Sequence, residues 1–141
     1  MTACARDLMT AAPLTVRADA PVLEVVHLFV EAQIGAAPVV DADGAVSGAI
    51  SRLDLLRAID QVCDEDLDPG EPDQSRGVAE QLAGLLAGDV ASPDPVWVAP
   101  ETPVTEVAQL MRRLGVHRVL VGGEGQVAGI LTAFDLLAAV R

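Results

Sequence analysis

Apolar positions along this chain fall into two kinds of pattern, and each pattern occurs twice. Val22, Val25, Val26, Phe29 and Val30 recur at i, i+3, i+4, i+7 and i+8, the stripe of a helix that buries one face. Val104, Val107, Ala108, Met111 and Leu114 form a matching stripe, which Gly115 ends. Pro21 and Pro103 are read at the first helical position, where a missing N–H loses no intrahelical partner. Short extended runs precede these helices, Leu14-Thr15-Val16 and Val96-Trp97-Val98. Paired runs follow them, Pro38-Val39-Val40 with Ala49-Ile50 and Val119-Leu120-Val121 with Ile130-Leu131. Asp43-Gly44 and Glu124-Gly125 lie between the paired runs and read as hairpin turns. A last helix carries Leu53, Leu56 and Ile59 in one copy and Phe134, Leu137 and Val140 in the other. The pattern therefore predicts a unit of order β-α-β-β-α, present twice, in an α/β (α+β) chain.

The two copies are a duplication. At an offset of 82, Asp7 aligns with Asp89, Pro13 with Pro95, Val16 with Val98, Pro21 with Pro103 and Glu24 with Glu106. One residue drops out in the hairpin turn, and at an offset of 81 Gly48 aligns with Gly129 and Asp54 with Asp135. A turn is where a repeat tolerates such a slip. One unit has too little core alone, so the two are expected to pack together about a pseudo-twofold axis. The division is a first repeat over 1–62, an acidic linker over 63–75, and a second repeat over 76–141. The second repeat opens with a short amphipathic helix carrying Val78, Leu82, Leu85 and Leu86, expected to pack on that second copy. The linker holds Asp64, Glu65, Asp66, Asp68 and Glu71 without a basic residue and reads as solvated. Asp64, Asp66 and Asp68 have the 1, 3, 5 spacing of a calcium loop, but Pro69 stands where glycine is required and Ser75 where the bidentate glutamate belongs.

Composition narrows the function classes. The 141 residues are 51% hydrophobic but only 2% aromatic, so the core is built from Val, Leu, Ile and Ala. The net charge is −12 and every basic residue is an arginine. That balance argues against nucleic acid as the main partner, and the absence of lysine removes P-loop and Schiff-base chemistry. Cys4 and Cys63 are far apart in sequence and near neither His27 nor His117, which argues against a zinc site. With no apolar run of membrane-spanning length and no signal-peptide pattern, a cytoplasmic protein with no membrane association is expected. No nucleophile–base constellation stands out, so an enzyme is not expected.

The motifs add a family resemblance. Asp7-Leu8-Met9-Thr10 with Pro13-Leu14-Thr15-Val16, and Ile34-Gly35-Ala36-Ala37-Pro38-Val39-Val40-Asp41, resemble the opening and the central strand of a CBS domain. Gly48-Ala49-Ile50-Ser51-Arg52-Leu53-Asp54 and Gly129-Ile130-Leu131-Thr132-Ala133-Phe134-Asp135 resemble that family's G-h-h-[ST]-x-x-D signature. The pair resembles a Bateman module. The resemblance implies binding of an adenosyl compound (AMP, ATP or S-adenosylmethionine) in clefts between the repeats, with no other cofactor required. A homodimer acting on an unknown effector protein is expected. Ser51, Asp54, Thr132 and Asp135 are the ribose and phosphate candidates. Thr10, Ala36, Ala37 and Pro38 are candidates for the adenine side of the cleft, and His117 and Arg118 for the phosphate.

Two readings of these residues stay open. Ser51 with Asp54, and Thr132 with Asp135, also fit a capping box, in which a hydroxyl at the N-cap pairs with an acid three residues on, at about 1 kcal/mol per cap. A carboxylate in the first helical turn can equally accept two hydrogen bonds from a cis-diol. Arg118 suits a phosphate, being always charged and capable of bidentate contact, yet surface acids also compete for it. The first copy has Ala36-Ala37 where the second has His117-Arg118, so unequal clefts are expected. A lone arginine near the phosphate, in so acidic a chain, disfavours a triphosphate and points to AMP or a similar low-charge adenosyl ligand. Trp97 is a candidate to flank an adenine, or a core or dimer contact, and His27 reads as structural or partly exposed. The alternative to a ligand sensor is a ligand-free dimerisation or docking module in which the [ST]xxD motifs only cap helices.

Overall fold

The computed structural model describes residues 3–66, 80–123 and 126–139. In chain order its elements are α1 (Ala5–Leu8), β1 (Thr10–Ala11), β2 (Val16–Arg17), α2 (Val22–Ala32), β3 (Ala36–Val40), β4 (Val46–Ser51) and α3 (Arg52–Asp66). They continue with α4 (Ala87–Val90), β5 (Ser92–Pro93), β6 (Trp97–Val98), α5 (Val104–Leu114), β7 (Arg118–Gly123), β8 (Gln126–Thr132) and α6 (Ala133–Leu136), which tightens into a 3₁₀ turn over Leu137–Ala139. The runs β2-α2-β3-β4-α3 and β6-α5-β7-β8-α6 give the β-α-β-β-α order twice. In each run the first two strands are parallel and bridged by the helix, and the next two form an antiparallel hairpin. A parallel pair needs such a crossover, whereas an antiparallel pair closes on a turn.

The two copies exchange their leading segments. One sheet runs β2-β3-β4-β5 and the other β1-β8-β7-β6, so β1 completes the second copy's sheet and β5 the first copy's. The registers are reciprocal: Thr10 faces Ile130, and Ser92 faces Ala49. The helices before these strands cross over as well. The Ala5 amide donates to the Thr102 carbonyl at 2.8 Å, and the Ala87 amide donates to the Ala20 carbonyl at 2.8 Å. Val104 donates to Ala3, and Val22 to Leu85, each at 2.9 Å. Small residues enter the opposite cores: Ala87 lies with Val16, Val22, Val25, Phe29, Val39, Ile50 and Leu55, while Ala5 lies with Val98, Val107, Met111, Val119, Val121 and Leu131. A third cluster joins the sheets, with Ala36, Leu120 and Ile130 buried and Trp97, Val46 and Val127 against them. Neither sheet is complete without a strand from the other copy.

Several expectations need correction. The segment around Leu85 packs on the first copy's core, not the second's, because it leads into α4, whose Ala87 is seated there. In α3 the buried apolar residues are Leu55, Ala58 and Val62, while Leu53 and Leu56 are exposed; the apolar positions outnumber those one face can bury. Phe134 and Leu137 are exposed too, and Val30 and Leu114 lie on the outer faces of α2 and α5. Pro21 and Pro103 are N-caps with ψ near 140°, one residue ahead of the expected position. The helix α3 runs to Asp66, so the acidic stretch begins helically. Asp68, Pro69, Ser75, Val78 and the Glu124-Gly125 turn lie outside the described residues.

Acidic caps open the exchanged helices. The Asp7 carboxylate accepts from the Cys4 amide at 2.9 Å, and Asp89 accepts from the Leu86 amide at 3.0 Å. The Cys4 amide first, and its thiol second, hold the Asp7 carboxyl below its ordinary value of 3.8. Because the shift is downward, that cap is present at neutral pH and is lost as the pH falls through the folded-state value.

Candidate functional site

The two signature motifs sit where a central strand hands over to a helix. β4 ends at Ser51 and α3 begins at Arg52; β8 ends at Thr132 and α6 begins at Ala133. Both motifs cap. The Asp54 carboxylate accepts from the Ser51 amide at 2.9 Å and its hydroxyl at 3.0 Å, and the Asp54 amide donates to Ser51 Oγ at 3.2 Å. The Asp135 carboxylate accepts from the Thr132 amide at 2.9 Å, and the Asp135 amide donates to Thr132 Oγ1 at 3.3 Å.

The surroundings of the two carboxylates differ. Arg118, at the start of β7, reaches across to the first copy: its Nη2 lies 3.1 Å from Asp54 Oδ2 and 2.9 Å from Ser92 Oγ, with a longer contact of 3.5 Å to the Ala49 carbonyl. Ser92 Oγ also lies 3.5 Å from Asp54 Oδ1. The pair is nearly enclosed, with side-chain exposures of 13% for Arg118 and 9% for Asp54. It borders a recess of about 100 Å³ lined by Ala49, Ser92, Asp94, Val96, Val116 and Arg118, among others. The strand registers place Ala36, not Ala37, at the position equivalent to Arg118, one residue from the expected alignment of Ala36-Ala37 with His117-Arg118, and Ala36 is buried against Leu120 and Ile130. Among the described residues no basic side chain pairs with Asp135.

Four of the expected residues, Ser51, Asp54, Thr132 and Asp135, thus lie in two separate groups, and Arg118 joins the Asp54 group rather than the Asp135 group. Thr10 lies on β1, exposed, beside β8. Ala36 faces the seam between the sheets, whereas Ala37 turns into the first copy's core, because successive strand residues point to opposite faces. Pro38 is fully buried. His117 is exposed, and its carbonyl accepts from the Ala133 amide at 2.8 Å. His27 is exposed as well, and Trp97 packs in the seam. Ser92 was missed. Its signal was available, since it is Thr10's partner at the offset of 82. Just beyond each exchanged strand stands a non-glycine residue in the left-handed region, Ala12 at φ 46° and Asp94 at φ 52°, uncommon enough to mark a constrained turn. Among the described residues no group of His, Cys, Asp and Glu could hold a metal ion, and no helix is long and apolar enough to cross a membrane.

Fold and site together define a tandem α/β module with exchanged leading strands and two [ST]xxD motifs in unequal surroundings. The chain belongs to the CBS-domain family, whose model matches residues 5–61 and 87–141. It is similar to the CBS domain of a CBS domain-containing membrane protein from Sphaerobacter thermophilus. That structure is 32% identical with a TM-score of 0.76, and the match covers 99% of this chain and 89% of that one. CBSX2, solved in complex with AMP, is 25% identical with a TM-score of 0.71, and the match covers 96% of this chain and 94% of that one. An uncharacterised protein of Methanocaldococcus jannaschii is 25% identical over 132 residues; the match covers 94% of this chain and 41% of that relative.

Proposed function

We propose that this chain is a non-catalytic regulatory module that binds an adenosyl compound, AMP foremost, between its two repeats and acts on a separate partner protein. The observation that carries this reading is the buried polar cluster of Ser51, Asp54, Ser92 and Arg118 where the repeats meet. Capping alone does not call for it, since Thr132 and Asp135 cap α6 without a basic partner among the described residues. The AMP complex of CBSX2 supports the ligand class. In this reading Asp54 and Asp135 accept ribose hydroxyls beside Ser51 and Thr132. Thr10 and Ala36 wall the Asp135 cleft, with the fully buried Pro38 behind them, and Ala37 contributes only backbone. Arg118 takes a phosphate, with His117 at the rim.

Calorimetric titration with AMP, ATP and S-adenosylmethionine tests it. Micromolar binding of AMP, about −8 kcal/mol, is expected, and Asp135→Ala should weaken binding at its cleft by about 10-fold or more, the worth of a hydrogen bond to a charged group. If no adenosyl compound binds at millimolar concentration, the ligand-free docking module is the correct reading.

The same module is proposed to be a homodimer. Leu53 and Phe134 occupy equivalent places in the two copies and are 39% and 79% exposed; Leu56 and Leu137 are likewise equivalent, at 58% and 60%. An internally repeated apolar face is suited to a self-complementary contact with a second copy. Sedimentation is expected to show a dimer that Phe134→Glu with Leu56→Glu converts to a folded monomer. A wild-type monomer at micromolar concentration rules the dimer out.

A further inference from the structure

The hydrogen bonds of Arg118 are unevenly distributed. Three acceptors lie around Nη2, on Asp54, Ser92 and Ala49, although that nitrogen carries only two protons. Nε is buried and without a partner. The guanidinium is therefore held from one corner, Nη2, and Nε, its neighbour on the side-on edge that suits a two-oxygen anion, is left unsatisfied. The adjoining recess of about 100 Å³ is well below the roughly 300–1,000 Å³ of small-molecule pockets. A nucleoside cannot settle against Asp54 while Arg118 stays where it is.

Moving Arg118 has a charge cost that depends on the ligand. An uncharged nucleoside that separates the pair leaves a guanidinium unpaired in a site only 13% exposed, and an unpaired buried charge is strongly unfavourable. A ligand phosphate can take over the guanidinium, engage the orphaned Nε, and release the Asp54 carboxylate for ribose hydroxyls. The other cleft differs. Ala36 stands in the equivalent place, and among the described residues Asp135 has no basic partner.

We propose that Arg118 gates the Asp54 cleft by charge: an adenosyl ligand enters there only if it brings a phosphate to replace Asp54 on the guanidinium, whereas the Asp135 cleft accepts adenosyl ligands with or without one. This rests on the adenosyl reading above. The gate also gives that cleft an output. Arg118 and Asp54 belong to different copies, so a phosphate-bearing ligand breaks an ion pair between the repeats and an uncharged one leaves it intact.

Titration of the full chain with AMP and with adenosine is the test. AMP is expected to fill both clefts. Adenosine is expected to fill one, its affinity for the second being weaker by about 100-fold or more. Arg118→Met, which retains an apolar stem, should let adenosine fill both clefts and should weaken AMP at one. Equal stoichiometry and comparable affinities for adenosine and AMP in the wild type overturn the gate and leave the adenosyl reading standing. Binding of neither compound overturns both. If Arg118→Met does not fold, the wild-type comparison of the two ligands still decides.

Discussion

Arg118→Ala is expected to lower the unfolding free energy by about 3 kcal/mol, measured by urea denaturation. Truncating one member of a buried pair leaves the other charge uncompensated, at about 3–5 kcal/mol. The lower end applies because Asp54 retains the Ser51 amide and hydroxyl and the Ser92 hydroxyl. Solvent screening removes little of the effect at exposures of 13% and 9%. The double replacement Arg118→Met with Asp54→Asn should recover most of the loss, because it removes both charges at similar volume. The two exposed pairs provide the contrast. Arg17–Asp19 is 65% exposed on each side, and Arg6–Glu101 is 58% and 71% exposed; their loss should cost no more than about 1 kcal/mol. If Arg118→Ala unfolds within that smaller margin, the cross-repeat pair does not hold the copies together.

Gly48→Ala should cost a similar amount, about 3 kcal/mol, at the upper end of overpacking. A methyl at Gly48 would stand 2.7 Å from the Ser92 carbonyl oxygen. The obstacle is backbone, so β5 itself must move. Ser92 then leaves Arg118 and Asp54, and the seat of α4 on the first core loosens with it. The equivalent glycine, Gly129, lies against β1 in the same way: a methyl there would meet the Met9 side chain and stand 2.9 Å from the Thr10 carbonyl oxygen. Gly44→Ala is the control. It has nothing within 4 Å, and only its φ of 85° is unfavourable, so its cost should be about 1 kcal/mol. A Gly48→Ala protein as stable as the Gly44→Ala protein would mean that β5 is not seated on β4.

These two positions show how differently the sequence and the fold speak. Gly48 and Gly129 were visible as repeat partners and as parts of a motif, and so were Ser51, Asp54, Thr132 and Asp135. Their chemistry as caps followed from spacing, because a cap needs only residues three apart on one chain. That Gly48 makes room for the strand holding Ser92 could not be read from spacing, because the two residues meet across the exchange. The misjudged helix faces have a related cause. In α3, apolar residues lie on more than one face, and only the packed partner selects Leu55, Ala58 and Val62 for burial over Leu53 and Leu56.

The sequence by itself determined the duplication, the β-α-β-β-α order of each copy, and the spacing that lets both [ST]xxD motifs cap. These are set by local periodicity, turn residues and short-range hydrogen bonds, all of which act within one segment. It also marked Ala36-Ala37 against His117-Arg118 as the point where the copies differ. The tertiary structure alone decided where that difference falls. By packing the two sheets against each other, it puts Arg118 of the second copy on Asp54 of the first and leaves Asp135 without a basic partner among the described residues. An ion pair between residues 64 positions apart depends on how two sheets pack, and no pattern within either segment specifies it.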